Sequence, residues 1–343
     1  MPDAPVMRDL LRRVRGRNEV YLAGLVALMC VVWGVLAPSF LTLQNAVDLV
    51  ESYSVTAIFA VGLFVVLVSG GIDISFAATA SVAQYATALV ATRYGWPALA
   101  CIPFGLGIGV GLGCINAALI HYLRITSIII TIATMSVFFA LLMYFTGGVS
   151  IYTLPDWWAT RVVFFETETE AGLTRITLPL VVMLGAVVVT WLLMSRLSAG
   201  RQLYALGGNP EAARRLGVNV AAMHFLAYGY LGLMAGVAGL VQAHRVGESV
   251  PNAMVGQELN VLASAVLGGA SLMGGIGTVP GVLLGIMLLA ILQNGLNLVG
   301  VSPYFFQIVI GLVILVSTSV TAISARPRRR AARAASPRLE GTP

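Results

Sequence analysis

The chain has 343 residues, of which 58% are hydrophobic and only 10% are charged, and its formal net charge is +6. Soluble domains carry about 25% charged residues, so the composition excludes a soluble protein and predicts an all-α polytopic membrane protein. All twenty basic residues are arginine. A Walker-type nucleotide site and pyridoxal phosphate chemistry both need a lysine, so neither fits this sequence.

The arginines are concentrated at the two ends of the chain, with five between Arg8 and Arg17 and six between Arg326 and Arg338. Basic residues that flank membrane spans mark the cytoplasmic side, so topology rather than nucleic-acid binding explains the positive charge. Both termini are therefore predicted to be cytoplasmic, which requires an even number of spans. The predicted domains are a basic N-terminal segment, a transmembrane domain and a basic, disordered tail: 1–19, 20–323 and 324–343.

Apolar runs close to the length that crosses a bilayer, about 20 residues, predict ten membrane-spanning helices. In chain order they are 20–37, 52–69, 76–93, 97–121, 126–146, 176–195, 222–243, 257–273, 276–298 and 303–323. Ten spans put the polar loop 196–221 on the cytoplasmic side and the longer, acidic loop 147–175 on the periplasmic side. The weakest spans are 257–273 and 276–298. The strongly apolar part of the first, 261–273, is short for a full crossing, and the glycines at 268–277 permit a pair of broken or re-entrant segments as an alternative.

The segment between the second and third predicted spans reads SGGIDIS, residues 69–75. Asp73 or Ser75 can cap the following helix, while Gly70 and Gly71 allow the turn before it. A carboxylate at membrane depth is costly and also marks a functional pathway. Capping is the favoured interpretation, and a role in translocation can coexist with it.

Polar amides occur inside the predicted spans at Asn116, Gln293, Asn294 and Asn297. The last three share one helical face. Amides in hydrocarbon must find partners. They therefore either bond neighbouring helices, which the spacing alone favours, or line a passage for a hydroxylated solute.

The stretch 105–114, GLGIGVGLGC, repeats glycine along one helical face. Such seams let membrane helices approach closely. No predicted strand precedes the stretch, so tight helix packing is favoured over a dinucleotide-binding loop.

The spans contain no catalytic constellation, and the scattered cysteines and histidines have no metal-ligand spacing. Neither an enzyme nor a metal site is therefore predicted. Ionisable groups are nearly absent from the spans, which disfavours a stand-alone ion-driven solute carrier. That carrier is the alternative function, because backbone carbonyls of broken helices can hold sodium.

The polar loop contains GRQLYALGGNPEAARRLGVNV, residues 200–220. Asn209 is a good N-cap, Pro210 suits the first helical position, and Gly217 is a typical C-terminal stop. These signals predict a short helix. Two turns of helix are not stable alone in water, so this helix must rest on the membrane body or on a partner.

Five passages together resemble the membrane permeases of ribose-type ABC importers, a family that includes permeases for xylose, arabinose, galactose and the autoinducer-2 signal. The passages are 69–75, 127–135, 200–220, 267–281 and 294–316. The resemblance implies a fold like that of the vitamin B12 importer, in the lipid bilayer of the bacterial inner membrane. It also implies three kinds of partner: a cytoplasmic ATP-binding subunit that holds ATP and Mg²⁺, a periplasmic substrate-binding protein, and a second permease subunit, either the same chain or a relative.

In this family the short helix of the cytoplasmic loop is a coupling helix seated in a groove of the ATPase. The resemblance assigns that role to Gly207, Gly208, Asn209, Pro210, Glu211, Ala212, Ala213, Arg214, Arg215 and Gly217. The candidates for the translocation path are Gly70, Gly71, Asp73, Ser75, Asn116, Gln293, Asn294 and Asn297. The expected solute is a sugar or sugar-like compound. After the glycine–Ile–Asp motif these permeases often continue with Val-Gly-Ser, whereas this chain reads Ser75, Phe76, Ala77 and Ala78. The bulky aromatic at Phe76 weakens an assignment to a pentose.

Overall fold

The computed structural model describes residues 18–169 and 172–302, together with residues 304, 305, 307, 308, 311, 312 and 315. The predicted terminal segments, 1–19 and 324–343, lie outside the described residues except for residues 18 and 19. Most of the predicted tenth span, 303–323, also lies outside them.

The described residues are mostly helical. The helices are α1 Asn18–Leu36, α2 Leu43–Ser52, α3 Ser54–Val68, α4 Phe76–Arg93, α5 Ala98–Leu123, α6 Ser127–Thr146, α7 Asp156–Ala159, α8 Leu178–Ser195, α9 Ser198–Gly208, α10 Pro210–Arg215, α11 Val220–Val246, α12 Glu258–Leu267 and α13 Val279–Leu298. A 3₁₀ turn at Pro38–Leu41 lies between α1 and α2.

Within the described ranges, six helices are long and apolar enough to cross a membrane: α1, α5, α6, α8, α11 and α13. The pair α2 and α3 would make a seventh span, bent by 50° at the break between them. Helix α4 has the predicted bounds, 76–93, but is not among the apolar six because polar residues lower its mean hydropathy; four of these side chains are buried. These are Thr79, Ser81, Gln84 and Thr87. The structure supports a polytopic membrane protein but does not confirm ten spans.

The predicted span at 257–273 is wrong as a continuous helix. Helix α12 has ten residues, so it is about 15 Å long, roughly half of a hydrocarbon core of about 30 Å. The chain then turns through 268–278, where Gly269, Gly274, Gly275 and Gly277 adopt positive φ angles. A side chain disfavours these angles, so the glycines break the helix here and give the broken arrangement.

One segment also corrects the all-α prediction. Strands β1 Val163–Thr169 and β2 Gly172–Thr177 pair as an antiparallel hairpin inside the loop predicted at 147–175. Threonine, phenylalanine and valine in this segment favour extended backbone. A salt bridge of 3.0 Å joins Arg175 and Glu166, which are directly opposite each other in the register.

Helix α11 is the centre of the bundle and packs against α3, α4 and α5. Its contact with α5 depends on the predicted glycine seam. A Cβ atom added at Gly109 would lie 2.2 Å from the carbonyl oxygen of Gly232, and one at Gly113 would lie 2.3 Å from the carbonyl oxygen of Tyr228. The prediction of tight packing is therefore confirmed.

The two ends of α11 define two ends of the bundle. Asn219, which caps its first turn, lies near the end of the arginine-rich loop 196–221, and we call this side the arginine end. At the other end of α11, Ser249 pairs with Ile151 in the segment that leads to the β-hairpin. We call this side the hairpin end.

Candidate functional site: a polar cavity and an arginine-rich loop

A cavity of about 620 Å³ lies at the hairpin end, between α2, α3, α12 and α13. Its polar lining consists of hydroxyls and amides with two charged groups: Asp48, Ser52, Tyr53, Thr56, Arg245, Gln257, Asn260, Ser264, Gln293, Asn294 and Asn297. Its apolar lining is Leu49, Val261, Ile286, Leu289, Leu296 and Val301. We call it the amide cavity.

The three predicted amides of α13 all line the amide cavity. Gln293 accepts a hydrogen bond from the Tyr53 hydroxyl. Asn294 and Asn45 exchange reciprocal amide hydrogen bonds of 3.0 and 3.2 Å. Gln293 and Asn294 therefore combine the two roles that the sequence left open, because they hold α13 to its neighbours and face a polar space, which Asn297 also lines.

The wall formed by α2 is tied to the rest of the hairpin end by charged groups. Arg161 donates to both carboxylate oxygens of Glu51, at 2.9 and 3.0 Å. Arg245 donates to the carbonyl oxygen of Ser52 at 2.8 Å. Helix α2 is thus held by side chains from the segment before the hairpin and from α11.

Asp73, Ser75 and Asn116 form a separate buried cluster, each at most 2% exposed. Asp73 Oδ1 accepts hydrogen bonds from the backbone N–H and the hydroxyl of Ser75, both at 2.7 Å. The Asn116 amide donates to the Ser75 hydroxyl at 2.7 Å and to Asp73 Oδ2 at 3.3 Å. These Asp73 contacts form a turn just before α4, but no side-chain hydrogen bond caps the first turn of the helix, so the prediction that Asp73 or Ser75 caps α4 is wrong.

None of these three residues lines the amide cavity. The same holds for Gly70 and Gly71, and a Cβ atom at Gly71 would lie 2.2 Å from the Tyr228 hydroxyl oxygen. Gly71 thus allows close packing of the turn against α11. A role for the SGGIDIS segment in translocation stays a prediction.

Phe76 is 1% exposed, and its ring centroid lies 5.0 Å from that of Phe59. It belongs to the apolar core rather than to the lining of the amide cavity. The departure at Phe76 therefore does not alter the lining of this cavity, and the doubt about a pentose stays a prediction.

The predicted short helix of the arginine-rich loop is confirmed as α10. Asn209 Oδ1 accepts from the backbone N–H of Ala212 at 3.0 Å, Pro210 occupies the first turn, and Gly217 has a φ angle of +84°. Glu211 and Arg215 form an ion pair of 2.5 Å.

Helix α10 presents a mixed charged and apolar surface. Ala213 is buried, whereas Glu211, Arg214 and Arg215 are exposed and Leu216 is 82% exposed. The sequence did not predict α9, the eleven-residue helix that precedes α10 and ends at Gly208. The loop is therefore a pair of helices rather than one helix on a flexible tether.

A family model described as "Branched-chain amino acid transport system / permease component" matches residues 45–318. The chain belongs to this permease family. The permease is 33% identical over 300 residues to the ribose import permease protein RbsC of Escherichia coli K12, covering 87% of this chain and 92% of that relative. It is 35% identical over 294 residues to the ribose import permease protein RbsC of Bacillus subtilis 168, covering 86% and 89%.

The galactose/methyl galactoside import permease protein MglC of Escherichia coli K12 is 30% identical to this permease over 318 residues, covering 89% of this chain and 93% of the relative. No solved structure matches the permease. The likeness to the vitamin B12 importer is therefore still a prediction.

Sequence reasoning missed most of the lining that the permease contributes from α2, α3 and α12. A signal was present, because Asp48, Ser52 and Thr56 are spaced four apart and Gln257, Asn260 and Ser264 three and four apart. Each set forms a polar stripe on a helical face. The stripes were not recognised because one crosses the bend at Tyr53 and the other occupies the short α12.

Among the described residues of the permease, no group of three or more histidine, cysteine, aspartate or glutamate side chains could hold a metal ion. The assignment of ATP and Mg²⁺ to a separate subunit stays a prediction.

Proposed function

We propose that this chain is the transmembrane subunit of a binding-protein-dependent ABC importer, which moves a sugar or sugar-like solute across the bacterial inner membrane. The observation that carries the proposal is the pairing of a hydroxyl- and amide-lined cavity at one end of the bundle with an exposed, stiff helix at the other. The first suits a polyhydroxylated solute, and the second suits a cytoplasmic partner.

The chemistry of the amide cavity favours a sugar. Its volume of about 620 Å³ is within the usual range for small-molecule sites, about 300–1,000 Å³. Amides and hydroxyls both donate and accept hydrogen bonds, as sugar hydroxyls do, and the Asp48 carboxylate can accept from two of them. Apolar residues such as Leu49 and Val261 can contact the C–H face of a sugar ring. The names of the ribose and galactose permeases point to the same solute class.

The description of the family names branched-chain amino acids, and this is the competing solute class. Asp48 and Arg245 could meet an ammonium and a carboxylate group. However, the rest of the polar lining is neutral, whereas an aliphatic side chain would need a continuous apolar pocket. The relatives that match over most of the chain are named for sugars.

Charge sets the proposed orientation. Arg124, Arg196, Arg201, Arg214 and Arg215 surround the arginine end, which the positive-inside rule assigns to the cytoplasm. Glu19, in the first turn of α1, accepts a hydrogen bond from Thr278 near the same end, which supports a cytoplasmic N-terminus. The amide cavity would then open to the periplasm, where a binding protein delivers solute.

In this mechanism the permease itself needs only modest affinity, because the binding protein selects the solute. A cytoplasmic ATPase subunit would bind α10 through its exposed residues, with ATP and Mg²⁺ held on that subunit. Closure of two ATPase subunits around ATP would move the coupling helices of two permease subunits together. The bundle would then expose the amide cavity to the cytoplasm instead of the periplasm.

Reconstitution into proteoliposomes tests the proposal. The permease is inserted alone, or with a candidate ATPase subunit and binding protein from the same organism, and uptake of radiolabelled D-ribose, D-galactose, D-allose and L-leucine is measured. The proposal predicts ATP-dependent uptake of a sugar only when all components are present. Gradient-driven accumulation by the permease alone would establish the ion-driven carrier instead, and uptake of leucine alone would establish the amino-acid solute.

A further inference from the structure

The last turn of α9 contacts two other segments backbone to backbone at a point where glycines meet. A Cβ atom added at Gly207 would lie 1.9 Å from the carbonyl oxygen of Val68, 2.7 Å from the nitrogen of Gly275 and 3.0 Å from the nitrogen of Gly70. One added at Gly274 would lie 2.7 Å from both Gly207 O and Gly70 Cα. We call Gly70, Gly207, Gly274 and Gly275 the glycine junction.

Two hydrogen bonds fix the junction further. The backbone N–H of Gly275 donates to the carbonyl oxygen of Val68 at 2.9 Å. The Tyr204 hydroxyl, on α9, donates to the carbonyl oxygen of Gly277 at 2.8 Å. Burial raises the pKa of Tyr204, so this hydroxyl keeps its proton. Helix α9 is thus bonded to the segment before α13, and that segment is bonded to the end of α3.

The two segments that meet α9 continue directly into walls of the amide cavity. Val68 is the last residue of α3, and the other end of this helix carries Thr56. Gly277 lies two residues before α13, whose far end carries Gln293 and Asn297. Each helix spans the distance between junction and cavity without a break. A displacement at the junction therefore reaches the cavity through helices, which behave as rigid elements.

We propose that Gly207 is a positioning residue of the transport cycle: the glycine junction transmits the movement of α10 to both α3 and α13, and so sets the width of the amide cavity. This inference rests on the proposed function, because it assumes an ATPase that moves α10. The contacts suit the task, since backbone atoms in direct contact cannot take up a displacement by changing rotamer as long side chains do. Helix α10 follows α9 after the single residue Asn209, so a movement of α10 is passed to the glycine junction through a very short connection.

The experiment measures the width of the cavity directly and needs no knowledge of the solute. Cys30, Cys101 and Cys114 are replaced with alanine, and spin labels are placed at Thr56→Cys on α3 and Asn297→Cys on α13. The complete complex with its ATPase is then trapped with ATP and vanadate. We expect trapping to shift the distance between the labels when Gly207 is present. Gly207 is buried in α9 and so is not part of the exposed surface of α10 that the proposal assigns to ATPase binding. In Gly207→Ala we therefore expect the ATPase still to bind and to trap vanadate, while the shift between the labels is lost.

Two further variants keep the test decisive. Gly185→Ala adds the same methyl group within α8, where nothing lies within 4 Å of the new Cβ atom, and it should keep the full shift. Tyr204→Phe removes only the hydrogen bond to Gly277 and should reduce the shift, which gives a result even if Gly207→Ala does not fold.

If Gly207→Ala folds and shows the full shift, the inference about the glycine junction is wrong, while the proposed function is unaffected. If Gly207→Ala does not fold, a full shift in Tyr204→Phe has the same meaning. Absence of vanadate trapping or of a shift in the parent complex would instead refute the proposed coupling, and the junction with it.

Discussion

The N-cap of α10 offers a quantitative test of the coupling helix. Asn209→Ala removes the hydrogen bond of 3.0 Å from the Ala212 N–H to Asn209 Oδ1. Loss of an asparagine N-cap costs about 1 kcal/mol, which is about a fivefold change in an equilibrium constant. Helix α10 has six residues, so few other hydrogen bonds stabilise it against the loss of its N-cap. We therefore expect α10 to open about fivefold more often.

Hydrogen–deuterium exchange of the purified permease in nanodiscs measures this opening. Backbone amides at 212–216 should exchange about fivefold faster in Asn209→Ala. The matched control is Asn219→Ala, because Asn219 caps α11 through an identical bond of 3.0 Å to the Ala222 N–H. Helix α11 has 27 residues and a buried face, so only its first turn should fray. Equal exchange at 212–216 in the parent chain and in Asn209→Ala would refute the reasoning.

Three further predictions concern the amide cavity, its α2 wall and the helix seam. Asn297→Leu should lower sugar uptake about 2–10-fold, because it removes one hydrogen bond to the solute. The ATPase rate of the detergent-solubilised complex should not change. An unchanged uptake rate would exclude Asn297 from the path. Glu51→Gln should release Arg161 from an ion pair in which Glu51 is buried and Arg161 is half-exposed. Such a pair is worth about 1 kcal/mol after solvent screening, so deuterium exchange at 43–52 should become faster relative to α13. Unchanged exchange would show that the ion pair does not hold α2. Gly232→Ala places a methyl group 2.1 Å from the Gly109 carbonyl oxygen and should destabilise the permease by about 1–3 kcal/mol in thermal melts, whereas Gly185→Ala should not; equal melting temperatures would contradict the seam.

The features that the sequence predicted correctly are those with local signals. Asn209, Pro210 and Gly217 punctuate α10 within nine residues, and each acts through its own backbone preference. The seam at Gly109 and Gly113 follows from helical periodicity alone. Both features can therefore be predicted without knowing which helices are neighbours in the fold.

The amide cavity could not be predicted in full because it is assembled from two pairs of consecutive helices, α2 with α3 and α12 with α13, that are far apart in the chain. Gln293 and Asn297 were identifiable as polar positions in an apolar helix, but their facing partners on α2 depend on the bend of 50° between α2 and α3. Neither proline nor glycine marks that bend in the sequence. The β-hairpin was missed because its short strands gain stability by pairing with each other and by packing on α2.

The glycine junction illustrates a different limit. The glycines of SGGIDIS, of the arginine-rich loop and of 268–277 each favour a local break or turn in the chain. Their meeting at Gly207 is a tertiary contact between segments about 140 and 70 residues away, and local conformational preferences do not encode it.

The most direct test of the account is the side from which the amide cavity can be reached. Asn297→Cys in the cysteine-free permease is treated with a membrane-impermeant maleimide, in spheroplasts and in inside-out vesicles that contain the complete transporter. The account predicts labelling from the periplasmic side without nucleotide, and a switch to labelling from the cytoplasmic side when ATP closes the partner subunits. Labelling from the cytoplasmic side without nucleotide, or an accessibility that ATP leaves unchanged, would contradict it.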